Sequence, residues 1–149
     1  MASTLSNATL TVTLSESLTL NGANHGSTKK IQIGGVNEVS KRIMTVATGG
    51  TQIYAGSTAA SYGTFVTADV KYVRITNLDD TNYIVLHLEG NSHYAQIQVA
   101  PGHAFFLTDV SAVFDNASAV ASYSAEDITR IDAMADTAGV DVEIMVASA

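Results

Sequence analysis

The sequence predicts an all-β protein, an antiparallel β-sandwich of jelly-roll-like type. Three observations lead there. The chain of 149 residues holds 17 Thr, 14 Ser and 21 Ala, while the usual helix fillers Leu, Lys and Glu are scarce; Thr with Val, Ile and Tyr suits a pleated, half-buried surface. Apolar residues recur at a period of two, the spacing of a strand with one face in a core. The periodic stretches are short, and Gly and Asx turns divide them. The length suits one domain with its own core. Residues 1–8 read as a flexible N-terminal arm and residues 9–149 as a single β-sandwich domain.

Thr9-Leu10-Thr11-Val12-Thr13-Leu14 alternates strictly, with Leu10, Val12 and Leu14 on one face, and Leu18 and Leu20 keep the phase. That face is expected to enter the core. Lys30-Ile31-Gln32-Ile33 is a short strand stopped by Gly34-Gly35. Arg42–Ala47 is another, stopped by Gly49-Gly50, and Gln52-Ile53-Tyr54 restarts the pattern before a loop over residues 56–64.

Residues 70–108 give the clearest reading. Strands at Val70–Thr76, Tyr83–Glu89, His93–Val99 and His103–Thr108 are separated by an Asx-rich turn (residues 77–82), a tight turn (90–92) and a turn holding the one proline, Pro101. Asn and Asp close such turns by bonding to their own backbone. The four strands read as an antiparallel meander. Farther on, residues 124–135 leave two readings open. Ser124-Ala125-Glu126-Asp127 resembles a helix N-cap, yet Thr129, Ile131, Ala133 and Ala135 also alternate into the strand Val140–Val146. A closing β-hairpin is favoured over a short helix before a final strand.

Composition narrows function. Without cysteine there is no disulfide framework, no Cys-ligated zinc and no thiol nucleophile. No apolar run approaches the roughly 18 residues of a membrane-spanning helix. A net charge of −7 argues against nucleic acid as a partner. The N-terminus lacks the basic and apolar regions of a signal peptide, so cytoplasmic synthesis is expected and the sequons at Asn7 and Asn116 carry no meaning. Charge is uneven: residues 1–68 sum to +2 and residues 69–149 to −9. A solvated acidic surface explains this; complementary faces for assembly are the sharper reading.

Sites for chemistry are weak. His87, His93 and His103, with Glu89, lack the paired-His spacing of a metal-binding strand and read as structural. The turn around Asp79 and Asp80 lacks the ligand spacing of a calcium loop. No Gly-x-Ser-x-Gly elbow is present. The double glycines precede no phosphate-binding helix. The adjacent carboxylates Asp79/Asp80 and Glu126/Asp127 do not suggest a glycosidase pair. Tyr62, Tyr72, Tyr83 and Tyr94 could stack on sugar, but core or rim packing is their commoner fate. No catalytic residue, cofactor-binding residue, cofactor or metal ligand is expected.

A resemblance adds to this. Tyr72-Val73-Arg74-Ile75-Thr76-Asn77-Leu78-Asp79-Asp80-Thr81-Asn82-Tyr83-Ile84, then Ala100-Pro101-Gly102-His103-Ala104-Phe105-Phe106-Leu107, then Ile128–Ile144 with its Ile-x-x-Ile-x-Ala-x-Ala-Asp-Thr run, together resemble small structural proteins of tailed phages, marine and cyanobacterial ones especially. The opening Ala2–Val12 is similar in flavour. The likeness covers about half the chain and consists of turn and core features. It implies a non-enzymatic virion protein on the outer capsid surface, a decoration or cement subunit that binds the major capsid protein, commonly as a homotrimer. It carries no catalytic residue. The alternative is a tail or fibre component that binds a host-surface glycan.

Overall fold

Strands form at nearly every place where the sequence alternates. The computed structural model describes residues 5–115 and 122–149, and in these helix is limited to a 3-10 turn at Thr67–Asp69. The fold is an antiparallel β-sandwich. One sheet runs in the order β10 (Tyr94–Val99), β9 (Ile84–Glu89), β12 (Arg130–Ala135), β6 (Thr51–Ser57) and β7 (Phe65–Val66). The other runs β11 (Ala104–Leu107), β8 (Val70–Asn77), β13 (Val140–Ser148) and β5 (Glu38–Val46). The pairing of β6 with β7 is parallel; every other pairing described is antiparallel.

One core fills the space between the sheets. Val140, Val142, Ile144 and Val146 of β13 alternate inward and meet Val73 and Ile75 of β8, Ile84, Leu86 and Leu88 of β9, and Ile131, Ala133 and Ala135 of β12. β9 is the cleanest case: buried Ile84, Leu86 and Leu88 alternate with partly exposed Val85, His87 and Glu89. Tyr54 stacks on Phe65 with ring centroids 5.8 Å apart.

Residues 70–108 are strands, but not a meander. β9 and β10 form the expected hairpin. The 77–83 connection instead carries the chain from one sheet to the other, and so does the Pro101 turn. β8 and β11 therefore pair with each other, Phe105 opposite Ile75 and Phe106 opposite Arg74. The cause sits at Asn77, which is fully buried at the corner. Its Nδ2 donates to the Asn82 carbonyl at 2.9 Å and the Val99 carbonyl at 3.2 Å, and its Oδ1 accepts from the Asp79 amide at 3.0 Å. One side chain thus ties both crossings. Asp79 closes the turn by accepting from the Thr81 and Asn82 amides, and those two donors hold its carboxyl below the usual range.

The C-terminal region resolves as strand, without the helix. β12 and β13 do not form a hairpin, however: β12 pairs with β6 and β9, while β13 lies between β5 and β8. The Asp136–Gly139 turn is an arch between sheets. The four wide pairings are nested: β5 with β13, β6 with β12, β8 with β11, β9 with β10.

Two expectations for the N-terminal part fail. Gly34-Gly35 does not stop a strand; β4 (Thr28–Val36) runs through it, with Gly35 at φ +77° and open space around it. And β1 (Ala8–Ser15) does not join the sandwich. It pairs with β4 alone, Leu10 opposite Ile33, Val12 opposite Ile31 and Leu14 opposite Lys29. β2 (Thr19–Leu20) and β3 (Ala23–Asn24) extend this ribbon to its tip. The part of the N-terminal arm at residues 1–4, and the Asn116 sequon, lie outside the described residues.

Candidate functional site

The ribbon is the feature that the core does not use. Its root is anchored: Leu10, Val12 and Ile33 pack against Val36, Tyr72 and Ala147, with Met145, on the outer face of the β5–β13–β8–β11 sheet. Its distal half is not. Leu14, Leu18 and Leu20 are 47%, 54% and 56% exposed. The alternation read from the sequence holds in β1, where Leu10 and Val12 are half-buried; the rest of the stripe is uncovered.

Local chemistry makes this hairpin form. The tip is Asn21-Gly22, with φ of +51° and +80°, the two left-handed residues of the hairpin turn that Asn-Gly favours. This signal stands in the sequence and is the strongest short-range one there. Behind the tip, the His25 amide donates to the Leu18 carbonyl at 2.8 Å and the Glu16 amide to the Ser27 carbonyl at 2.7 Å. The Ser27 hydroxyl donates to Glu16 Oε2 at 2.7 Å. Gly26 is required there: a Cβ would stand 2.3 Å from the Glu16 carbonyl oxygen. An isolated two-stranded ribbon is marginal in water, so these contacts and the anchored root hold it.

Charge divides along the same line. Residues 5–36 carry Lys29 and Lys30 against Glu16, a net of +1, and residues 37–149 account for −8 of the total of −7. On the outer face beside the ribbon root, Glu143 pairs with Lys41 at 3.1 Å and with Arg74. Ile43 and Val39 of β5, and Phe106 of β11, remain exposed on this sheet.

The histidines are not brought together. His87 lies beside the Tyr94 ring, with centroids 5.7 Å apart. The Nδ1 of His103 lies 2.7 Å from the Pro101 carbonyl oxygen. Glu89 faces Arg130 at 3.9 Å. His93 stands between Asp115 (3.3 Å) and Glu126 (3.0 Å). Among the described residues no group of three or more His, Asp or Glu has metal-holding geometry.

Glu126 instead staples the β9–β10 turn. It accepts from the Ser92 hydroxyl at 2.7 Å, the Ser92 amide at 2.9 Å and the His93 amide at 3.1 Å. The Ser92 donors foremost, then the His93 amide and charge, pull its carboxyl down to about 2. Of the tyrosines, Tyr72 is buried beneath the ribbon, Tyr83 is half-buried, and Tyr62 and Tyr94 are exposed. Packing is thus the fate of two of the four. Burial, and then the Asp127 carboxylate, push the Tyr54 hydroxyl up to about 12.

No helix among the described residues is long and apolar enough to cross a membrane. A scan of protein-family models and searches of curated proteins and of solved structures return no match to this chain.

Proposed function

We propose that this protein is a non-enzymatic structural component of a tailed-phage virion: a capsid decoration or cement subunit, trimeric, that binds the major capsid protein on the outer shell. The observation that carries the reading is the ribbon, a built hairpin whose root is fixed and whose apolar distal half stands exposed among the described residues. Covering Leu14, Leu18 and Leu20 on a neighbour would add roughly half of the about 1.5–3 kcal/mol that full burial of each side chain contributes. An arm of this kind gains by reaching across a subunit boundary, and Lys29 and Lys30 suit it to an acidic neighbour.

The nested pairing supports the finer fold reading. A long hairpin bent over itself, first strand with last, into two sheets is the connectivity of a jelly roll, an architecture common among viral capsid domains. That analogy concerns fold and does not by itself assign a role.

Immunogold labelling of virions whose genome encodes this chain tests the proposal. Label over the capsid, with a trimer in sedimentation of the purified protein, is the expected result. Label confined to the tail would move the protein to the tail or fibre reading. Unlabelled particles and a strictly monomeric protein would end both.

A further inference from the structure

We propose that the cleft at the open side of the sandwich, between β5 and the turn carrying Tyr62, is a saccharide-binding site. This goes beyond the shell-binding reading and does not rest on it.

The first observation is a face that carries the wrong residues for a core. Val46 and Met44 of β5 point between the sheets, opposite Val140 and Val142 of β13. The same face continues as Arg42, Ser40 and Glu38, opposite Ile144, Val146 and Ser148. Polar side chains here keep the sheets from closing, and a cleft of about 260 Å³ results. Its floor is apolar, with Ile53, Phe65 and Ile144; Ser61 and Thr64 stand on the facing wall.

The second observation is the donor–acceptor order. Alternate strand residues lie about 6.6 Å apart on one face, so Glu38, Ser40 and Arg42 span about 13 Å. They offer in turn a carboxylate, a hydroxyl and a guanidinium. Arg42 Nη2 donates to the Ile53 carbonyl at 3.1 Å, and among the described residues no carboxylate lies within ion-pair distance of it. Glu38 Oε2 accepts from the Ser148 hydroxyl at 3.2 Å, which leaves its other oxygen to accept.

The third is a presented ring. Residues 61–64 form a closed turn: the Thr64 amide and hydroxyl both donate to the Ser61 carbonyl, at 3.2 and 3.1 Å. Gly63 takes φ +75° in it, the third position of a type II turn. Tyr62 sits at the corner, fully exposed, between two residues that line the cleft.

An apolar floor, hydroxyls on both walls, one carboxylate, one guanidinium and a tyrosine on the turn that borders them match a pyranose. Such a ring has an apolar C–H face and an equatorial rim of groups that both donate and accept. A phosphate would face Glu38 across the same cleft, and a purely apolar ligand would leave the polar wall unpaired.

The test is an amide-shift NMR titration of the full chain with methyl glucoside, methyl galactoside, N-acetylglucosamine and glucuronic acid at millimolar concentrations. Saturable shifts at Arg42 and at residues 61–64 are expected with at least one of them. Binding should weaken about tenfold in Tyr62→Ala and be lost in Arg42→Gln. Tyr62 is fully exposed, so Tyr62→Ala should keep the parent's melting temperature; Arg42→Gln gives up its bond to the Ile53 carbonyl and should melt lower while keeping the parent's amide spectrum away from the cleft. If none of the four sugars gives saturable shifts, or if both variants bind like the parent, the proposal is overturned. The polar face of β5 would then serve only to guard a sheet edge against pairing. Either result leaves the assignment of the ribbon untouched.

Discussion

Asn77 shows how much one polar side chain can decide. In the sequence it is one more turn-former before Asp79. In the fold it is buried and satisfies two carbonyls and an amide from two parts of the chain, its own turn and the end of β10. Nothing in the residue type announces this, because burial of an Asn is set by what folds over it. Asn77→Ala leaves those groups without partners, and the cost should be at least about 1–3 kcal/mol, read as a lower urea-unfolding midpoint. Asn77→Asp should be worse than its shape suggests, since a carboxylate cannot donate to either carbonyl. In the sequence Glu126 reads as part of a helix N-cap or of an adjacent carboxylate pair; in the fold it caps a hairpin turn 34 residues away in sequence. Its folded carboxyl lies at about 2 against an ordinary 4.5. The depressed value means that its contribution is complete above about 4.5 and disappears as pH falls through about 2. The urea midpoint of the parent should therefore exceed that of Glu126→Gln at neutral pH, and the gap should close across that acid window.

At the scale of the element, the strands were easy to read and their partners were not. Alternation reports which face of a strand is apolar. It does not report whether a short turn returns the chain to its neighbour or carries it across to the other sheet, because both need a few residues of the same kinds. The 77–83 and Pro101 connections look like hairpin turns in the sequence and are crossings in the fold. The Leu10–Leu20 stripe poses the same problem in another form. Its periodicity is that of a core strand, and only the Asn21-Gly22 turn reveals that the stripe folds back on its own hairpin. The cleft residues Glu38, Ser40 and Arg42 were legible in principle, as polar residues in phase with Met44 and Val46. Replacing Leu14, Leu18 and Leu20 together by Asn tests the arm: sedimentation should show loss of self-association, with the urea midpoint of the sandwich unchanged, since none of the three belongs to either packed cluster.

For the whole molecule, the nested pairing sets the folding problem. β5 meets β13 with Glu38 opposite Ser148, and the Glu38–Ser148 hydrogen bond spans 110 residues. Folds dominated by such distant contacts close slowly, in milliseconds to seconds. Stopped-flow refolding from urea should give relaxation in that range and far slower than a helical bundle of similar length. The fold class was readable because it depends on local period and turn spacing. The nesting was not, because it depends on pairs of strands far apart in the chain.

The ribbon obeys a different clock. Its contacts join residues 8–36 to one another through a tight turn, and hairpins of this kind zip within about 1–10 μs. On a ribosome its turn can close before most of the body has been translated, while its root waits for Tyr72 and Ala147 and β5 for a mate roughly a hundred residues downstream. The ribbon is thus shaped first and seated last. A cell producing many copies at once would hold sticky leucines in the open for the whole of that interval.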